Sequence, residues 1–184
     1  MKIIVSIDLA IHQSGVAVFA VKDDFLTVFS MPKMEFTTTI KDTYGSKYKI
    51  LDHTQFRKLE ANGFFKYLED LKKMFEANEI IWLVEWNPCE LSQLLEKFTI
   101  SVVSYLWGKG YNVIPIQANR WFDVADKTYA LKRDKYPSTR EGNKKWIADV
   151  CAVFWPRYTF KSQDEEDASL MALTFLNNPA RFMI

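Results

Sequence analysis

Cysteine and histidine are nearly missing from this chain of 184 residues, which has two of each. Cys89 and Cys151 stand far apart with no CxxC, so neither a disulfide framework nor a zinc-ribbon spacing is present. His12 and His53 are too few for a His-rich metal site. No uninterrupted apolar run reaches the roughly 18 residues of a membrane-spanning helix. The opening residues carry one lysine and then an apolar run broken by Asp8, without a signal-peptide core or cleavage site. A surplus of either charge is also lacking: the formal net charge is +1, so a nucleic-acid partner would have to be met by a local basic face. Glycine and proline number six each against 48% apolar residues, which excludes a disordered or low-complexity chain. No GxxxxGK[ST] phosphate loop and no internal repeat occurs. These absences leave the expectation of a reduced, soluble, cytoplasmic protein, folded as a single domain over residues 1–184 with room for a full core.

The strands are read from short apolar runs. Lys2 to Ile7 is a buried-type strand that ends in Asp8, Val16 to Val21 returns after a polar turn, and Phe25 to Met31 completes a meander stopped by Pro32. Residues 35 to 54 are polar and mixed, as in an exposed loop. Gln55 to Asn78 has helical spacing of apolar residues, weakened at Gly63. Glu79 to Val84 is nearly continuous in apolar character, the signature of a strand covered on both faces, and it ends in Glu85. A helix is expected from about Cys89 to Trp107, closed by Gly108 and Gly110, followed by a short parallel strand from Tyr111 to Ile116.

Residues 117 to 141 read as the longest irregular stretch. They hold Arg120, Lys127, Lys132, Arg133, Lys135 and Arg140, interleaved with Trp121, Phe122, Tyr129 and Tyr136. Cations that neutralise phosphates beside rings that stack on unpaired bases suit contact with DNA. A helix from Asn143 to Trp155 then carries Lys144 and Lys145 in its expected first turn, where cations oppose the helix dipole and hint at an anion in front of them. Pro156 ends it, and Gln163 to Asp167 opens a last helix on an acidic turn before the apolar run from Ala168 to Leu176.

Three elements thus place acids at their ends. Asp8 and Glu85 terminate strands, and Asp164 and Asp167, three apart, share a face of the last helix. If the two strands are parallel neighbours, both acids project at the same end of the sheet, where ligands gather. Four crowded carboxylates repel one another, and hard divalent cations with oxygen ligands relieve that repulsion. Two such ions roughly 4 Å apart can activate water and stabilise the leaving oxygen of a phosphodiester.

Ile3-Ile4-Val5-Ser6-Ile7-Asp8, followed by Ser14-Gly15-Val16-Ala17-Val18, resembles the first motif of the RuvC-type Holliday junction resolvases. Trp82-Leu83-Val84-Glu85 resembles their second motif, and Lys144-Lys145-Trp146-Ile147 the helix that brings a basic residue to the site. Gln163-Asp164-Glu165-Glu166-Asp167-Ala168 resembles their closing Asp-x-x-Asp-Ala. The resemblance implies a ribonuclease H-like α/β fold, a mixed five-stranded sheet with helices on both faces. It implies that Asp8, Glu85, Asp164 and Asp167 bind two Mg²⁺ ions, with Mn²⁺ as a substitute, and that Lys144 or Lys145 contacts the scissile phosphate. The activity implied is structure-selective cutting of four-way DNA junctions by a homodimer that leaves paired nicks, at a nucleoid or viral replication site. The helix from Cys89 to Trp107 would be the dimer helix, although its apolar stripe equally suits a core helix. Trp86 stands near the place of an aromatic DNA wedge, one residue after Glu85. Ala10 replaces a glycine common in the family, and the 35–54 and 117–141 segments suggest a phage or viral member. Another ribonuclease H-like nuclease, acting on branched DNA or an RNA–DNA hybrid, or a non-catalytic junction-binding protein, are the alternatives.

Overall fold

Alternation along the strands decides the architecture. In β1 (Lys2–Asp8), Ile3, Val5 and Ile7 leave one face, and Ile4, Ser6 and Asp8 leave the other. The same alternation in β5 (Glu79–Trp86) sends Ile80, Trp82 and Val84 to the first face and Ile81, Leu83 and Glu85 to the second. Apart from Ser6, both faces are therefore apolar until the last residues, where a carboxylate emerges on the second.

The computed structural model describes residues 2–10, 13–22, 25–30, 34–35, 53–76, 78–86, 93–160 and 162–182. β1 pairs antiparallel with β2 (Gln13–Lys22), which pairs antiparallel with β3 (Phe25–Ser30) and, at its start, with the two-residue β4 (Met34–Glu35). On its other side β1 runs parallel to β5, and β5 runs parallel to β6 (Asn112–Gln117). The order is β3-β2-β1-β5-β6 with β4 off that path, a mixed sheet of six strands among the described residues where the sequence suggested five. The difference is β4, too short to show as an apolar run.

Helices α1 (His53–Met74) and α2 (Gln93–Gly108) pack on the first face through Phe64, Leu68, Leu71, Phe98, Val102 and Leu106. The other face is covered by α3 (Ala118–Thr128), α4 (Arg140–Phe154) and α5 (Gln163–Asn177), through Trp121, Trp146, Leu170 and Met171. The stripe of α2 is thus a core stripe, while Ile100 and Trp107 on the same helix stay exposed. Gly110, at φ 75°, takes the left-handed conformation that ends α2, and the Tyr111 amide donates back to Leu106. Among the described residues no helix is long and apolar enough to cross a membrane.

Residues 118–128 are helical rather than irregular, because Trp121, Val124 and Ala125 bury one face against the sheet. Helix α4 starts three residues earlier than expected, capped by the Thr139 hydroxyl, which accepts the Gly142 amide at 3.1 Å. Lys144 and Lys145 consequently lie beyond the first turn, where the helix dipole acts on them little. Of the loop expected at 35–54, Glu35 belongs to β4 and residues 53–54 to α1, while residues 36–52, like the start of the helix expected at Cys89, lie outside the described residues.

Candidate functional site

Parallel pairing of β1 and β5 runs as far as Ile7 against Val84, so the next residues, Asp8 and Glu85, stand side by side. Both project on the face covered by α3, α4 and α5. Helix α5 lies across β1 and β2, and its first turn starts at the same end of the sheet. Ser162 caps that turn by accepting the Glu165 amide at 3.3 Å. The result is a cavity of about 560 Å³ lined by Asp8, Glu85, Asp164 and Asp167 together.

The electrostatics follow from that crowding. Burial first, and then the charges of Glu85, Asp167 and Asp164, push the Asp8 carboxyl well above its ordinary range. Part of its surface still opens into the cavity, but the packed protein around it strips away most of the solvent. Glu85 is raised by burial, against a hydrogen bond with Asp8. The buried indole of Trp121 also acts on Glu85 and favours its charged form. Asp167 is raised to about 7 by burial, with the charges of Glu85, Asp164 and Glu166 adding to it. The Gln163 amide donates to Asp167 at 3.1 Å and partly offsets the rise. Among the described residues, no three Asp, Glu, His or Cys side chains already form a closed ligand group for a metal ion. The four acids instead meet across a shared space.

Another part of the lining comes from α4. Arg140, Asn143, Lys144 and Ile147 line the cavity at helical spacing, with Ser138 and Thr139 just ahead of them. Lys144 is half-buried there, and Lys145 points outward and is exposed. The structure therefore separates the two lysines that the sequence left equivalent.

The remaining basic residues scatter. Arg120 donates two bonds to the carbonyl of Arg181, at 3.1 and 2.7 Å. Lys132 donates to the Asp126 carbonyl, and Arg133 pairs with Asp123 at 3.4 Å. Lys127 and Lys135 are exposed, and of this group only Arg140 lines the cavity. Among the interleaved rings, Trp121 and Tyr129 are core residues, Tyr136 donates to Asp149, and Phe122 reaches the cavity wall. Trp86 alternates to the face opposite Glu85 and does not line the cavity. The sequence reading missed Ser138, Asn143, Gln163 and Thr99, all in the lining. Asn143 could have been found by placing the helix start at Arg140, which puts Arg140, Asn143 and Lys144 on one stripe at spacings of three and four.

No protein-family model matches the sequence, and no curated protein does. Solved structures do match in shape. T. thermophilus RuvC in complex with Holliday junction substrate has a TM-score of 0.56 at 14% identity, over 97% of this chain and 95% of that one. The fowlpox virus resolvase with its substrate Holliday junction DNA has 0.56 at 14%, over 96% and 98%. The fowlpox virus Holliday junction resolvase has 0.51 at 12%, over 96% and 99%. The chain has the fold of the RuvC-type resolvases. That likeness spans nearly the full length, and the four acids lie on its β1, β5 and α5.

Proposed function

We propose that this protein is a divalent-metal-dependent DNA endonuclease that resolves four-way junctions by paired nicks. The observation that carries the reading is the convergence of Asp8, Glu85, Asp164 and Asp167, from three elements, on one cavity that Arg140 and Lys144 also line. The donor chemistry fits hard ions: all four ligands are carboxylates, and their burial and mutual repulsion favour a divalent cation among them. These four acids would hold two Mg²⁺ ions, or Mn²⁺ in their place, and such ions supply an activated water and charge at the leaving oxygen. Lys144 and Arg140 bind the phosphate that enters the cavity, and Lys144 offsets the charge that builds on it during cutting. Lys127 and Lys135 extend the phosphate contact outside the cavity. Trp86, on the other sheet face, contributes at most to the DNA path beyond the cavity. Two copies act as a homodimer, so that two strands are cut symmetrically, and the exposed Ile100 and Trp107 of α2 give apolar surface for that pairing.

A cleavage panel tests the reading: a four-way junction, an RNA–DNA hybrid and a linear duplex, each with Mg²⁺ and with Mn²⁺. Cutting confined to the junction is expected. Preference for the hybrid would mark another ribonuclease H-like activity, and binding to the junction without cutting in either metal would mark a binding protein. Asp8→Asn and Glu85→Gln should each lower the rate about a thousandfold or more, since several kcal/mol of transition-state stabilisation goes with the ions, while junction affinity is retained.

A further inference from the structure

Gly15 sits where β2 passes the start of α5. Its register partner in β1 is Asp8. A Cβ built on Gly15 would fall on the backbone carbonyl of Asp164, with the Glu165 amide nitrogen 2.8 Å away. The neighbour is main chain, so no rotamer change relieves the overlap, and either β2 or the first turn of α5 has to move. Room for β2 to yield is small. Ser14 and Val16 on either side are buried, and the Ser14 hydroxyl bridges the backbone amide and carbonyl of Ala10 at 3.2 Å. Gly15 thus touches, through backbone alone, one element that carries Asp8 and another that carries Asp164 and Asp167.

We propose that Gly15 is a positioning residue: the contact of its backbone with that of Asp164 sets the spacing between Asp8 and the Asp164–Asp167 pair, and with it the affinity for divalent cations. The inference rests on the metal-binding reading above. Two devices act on the first turn of α5. The Ser162 cap shapes the turn internally, and Gly15 seats it against the sheet. A seat fixes where carboxylates stand relative to Asp8, which a cap alone does not. Backbone placement of this kind governs ligand geometry as outer-shell contacts do in known metal sites.

Mn²⁺ binding to the full chain, followed by the electron paramagnetic resonance signal of the free ion, tests the proposal in four proteins: the parent, Gly15→Ala, Ser162→Ala and Gly142→Ala. Gly142 is the matched control, because a Cβ there would fall on the Pro137 carbonyl, on a helix that carries none of the four acids. Gly15→Ala should bind Mn²⁺ at least about tenfold more weakly, and the other two within about threefold of the parent. Parent-like affinity in Gly15→Ala overturns the proposal. So does an equal loss in Gly142→Ala, which would mark general loosening. Should Gly15→Ala not fold, Ser162→Ala decides: retained affinity supports the seat, and a tenfold loss assigns the placement to the cap and overturns it. A parent chain that binds no Mn²⁺ would instead defeat the metal reading itself, a distinct result.

Discussion

Asp8 is crowded by the charges of Glu85, Asp167 and Asp164 and shielded from most of the solvent, and its behaviour without metal is the sharpest residue-scale consequence. Its folded pKa is raised, and that of Asp167 rises from 3.8 to about 7. Above the ordinary carboxylate range the folded protein holds protons that the unfolded chain has already released, so metal-free stability falls as pH rises from about 4 through the raised folded pKa of Asp167, about 7. Melting temperatures in a chelator should therefore be lower at pH 8 than at pH 5. Asp8→Asn should raise the melting temperature at pH 8 while it removes activity. A metal-free protein whose melting temperature climbs over that range, or an Asn variant that is less stable at pH 8, would contradict this electrostatics. The two lysines give a second test. Lys144→Ala should slow cleavage about a hundredfold through lost charge stabilisation, with a smaller effect on binding, and Lys145→Ala should change the rate little. Single-turnover rates beside junction affinities measure the difference, and equal losses in rate and affinity for Lys144→Ala would mean plain phosphate attraction.

Among the elements, α4 and α5 matter most, because the site needs both helix starts at one end of the sheet. The Thr139 cap holds the α4 start, from which Arg140, Asn143 and Lys144 project. Thr139→Ala should lower stability by about 1 kcal/mol and weaken junction binding, with Mn²⁺ affinity unchanged, as the acids are on other elements. Loss of Mn²⁺ affinity in that variant would tie α4 to the metal side of the cavity. Helix α3 holds the sheet side of Glu85 through Trp121, and Trp121→Ala should destabilise by about 3–5 kcal/mol as a large core truncation. Much of this was legible beforehand. The strand-end acids follow from apolar runs broken by a carboxylate, and the last helix from its acidic turn and apolar run. Helix α3 was not legible, since only three buried residues mark its inner face and the basic residues around them dominate the composition. The choice between Lys144 and Lys145 was not legible either, because it depends on a helix start set by Thr139, four residues before the expected start at Asn143.

At the scale of the whole molecule, the two-faced sheet is what brings acids from residue 8 and residue 167 together. Parallel pairing of β1 with β5 was an assumption of the sequence reading, and the register makes it a fact. The basic stretch fared differently: folding spends Arg120, Lys132 and Arg133 on internal contacts, which composition cannot foretell. If the cavity takes up divalent ions, the folded state gains stability by mass action, about 2.7 kcal/mol at a free concentration one hundred times the dissociation constant. The most direct check on the central claim is an anomalous difference map from crystals grown with Mn²⁺. The account predicts two peaks roughly 4 Å apart among the carboxylates of Asp8, Glu85, Asp164 and Asp167. A map with no peak in that cavity, or with peaks only elsewhere, would contradict it.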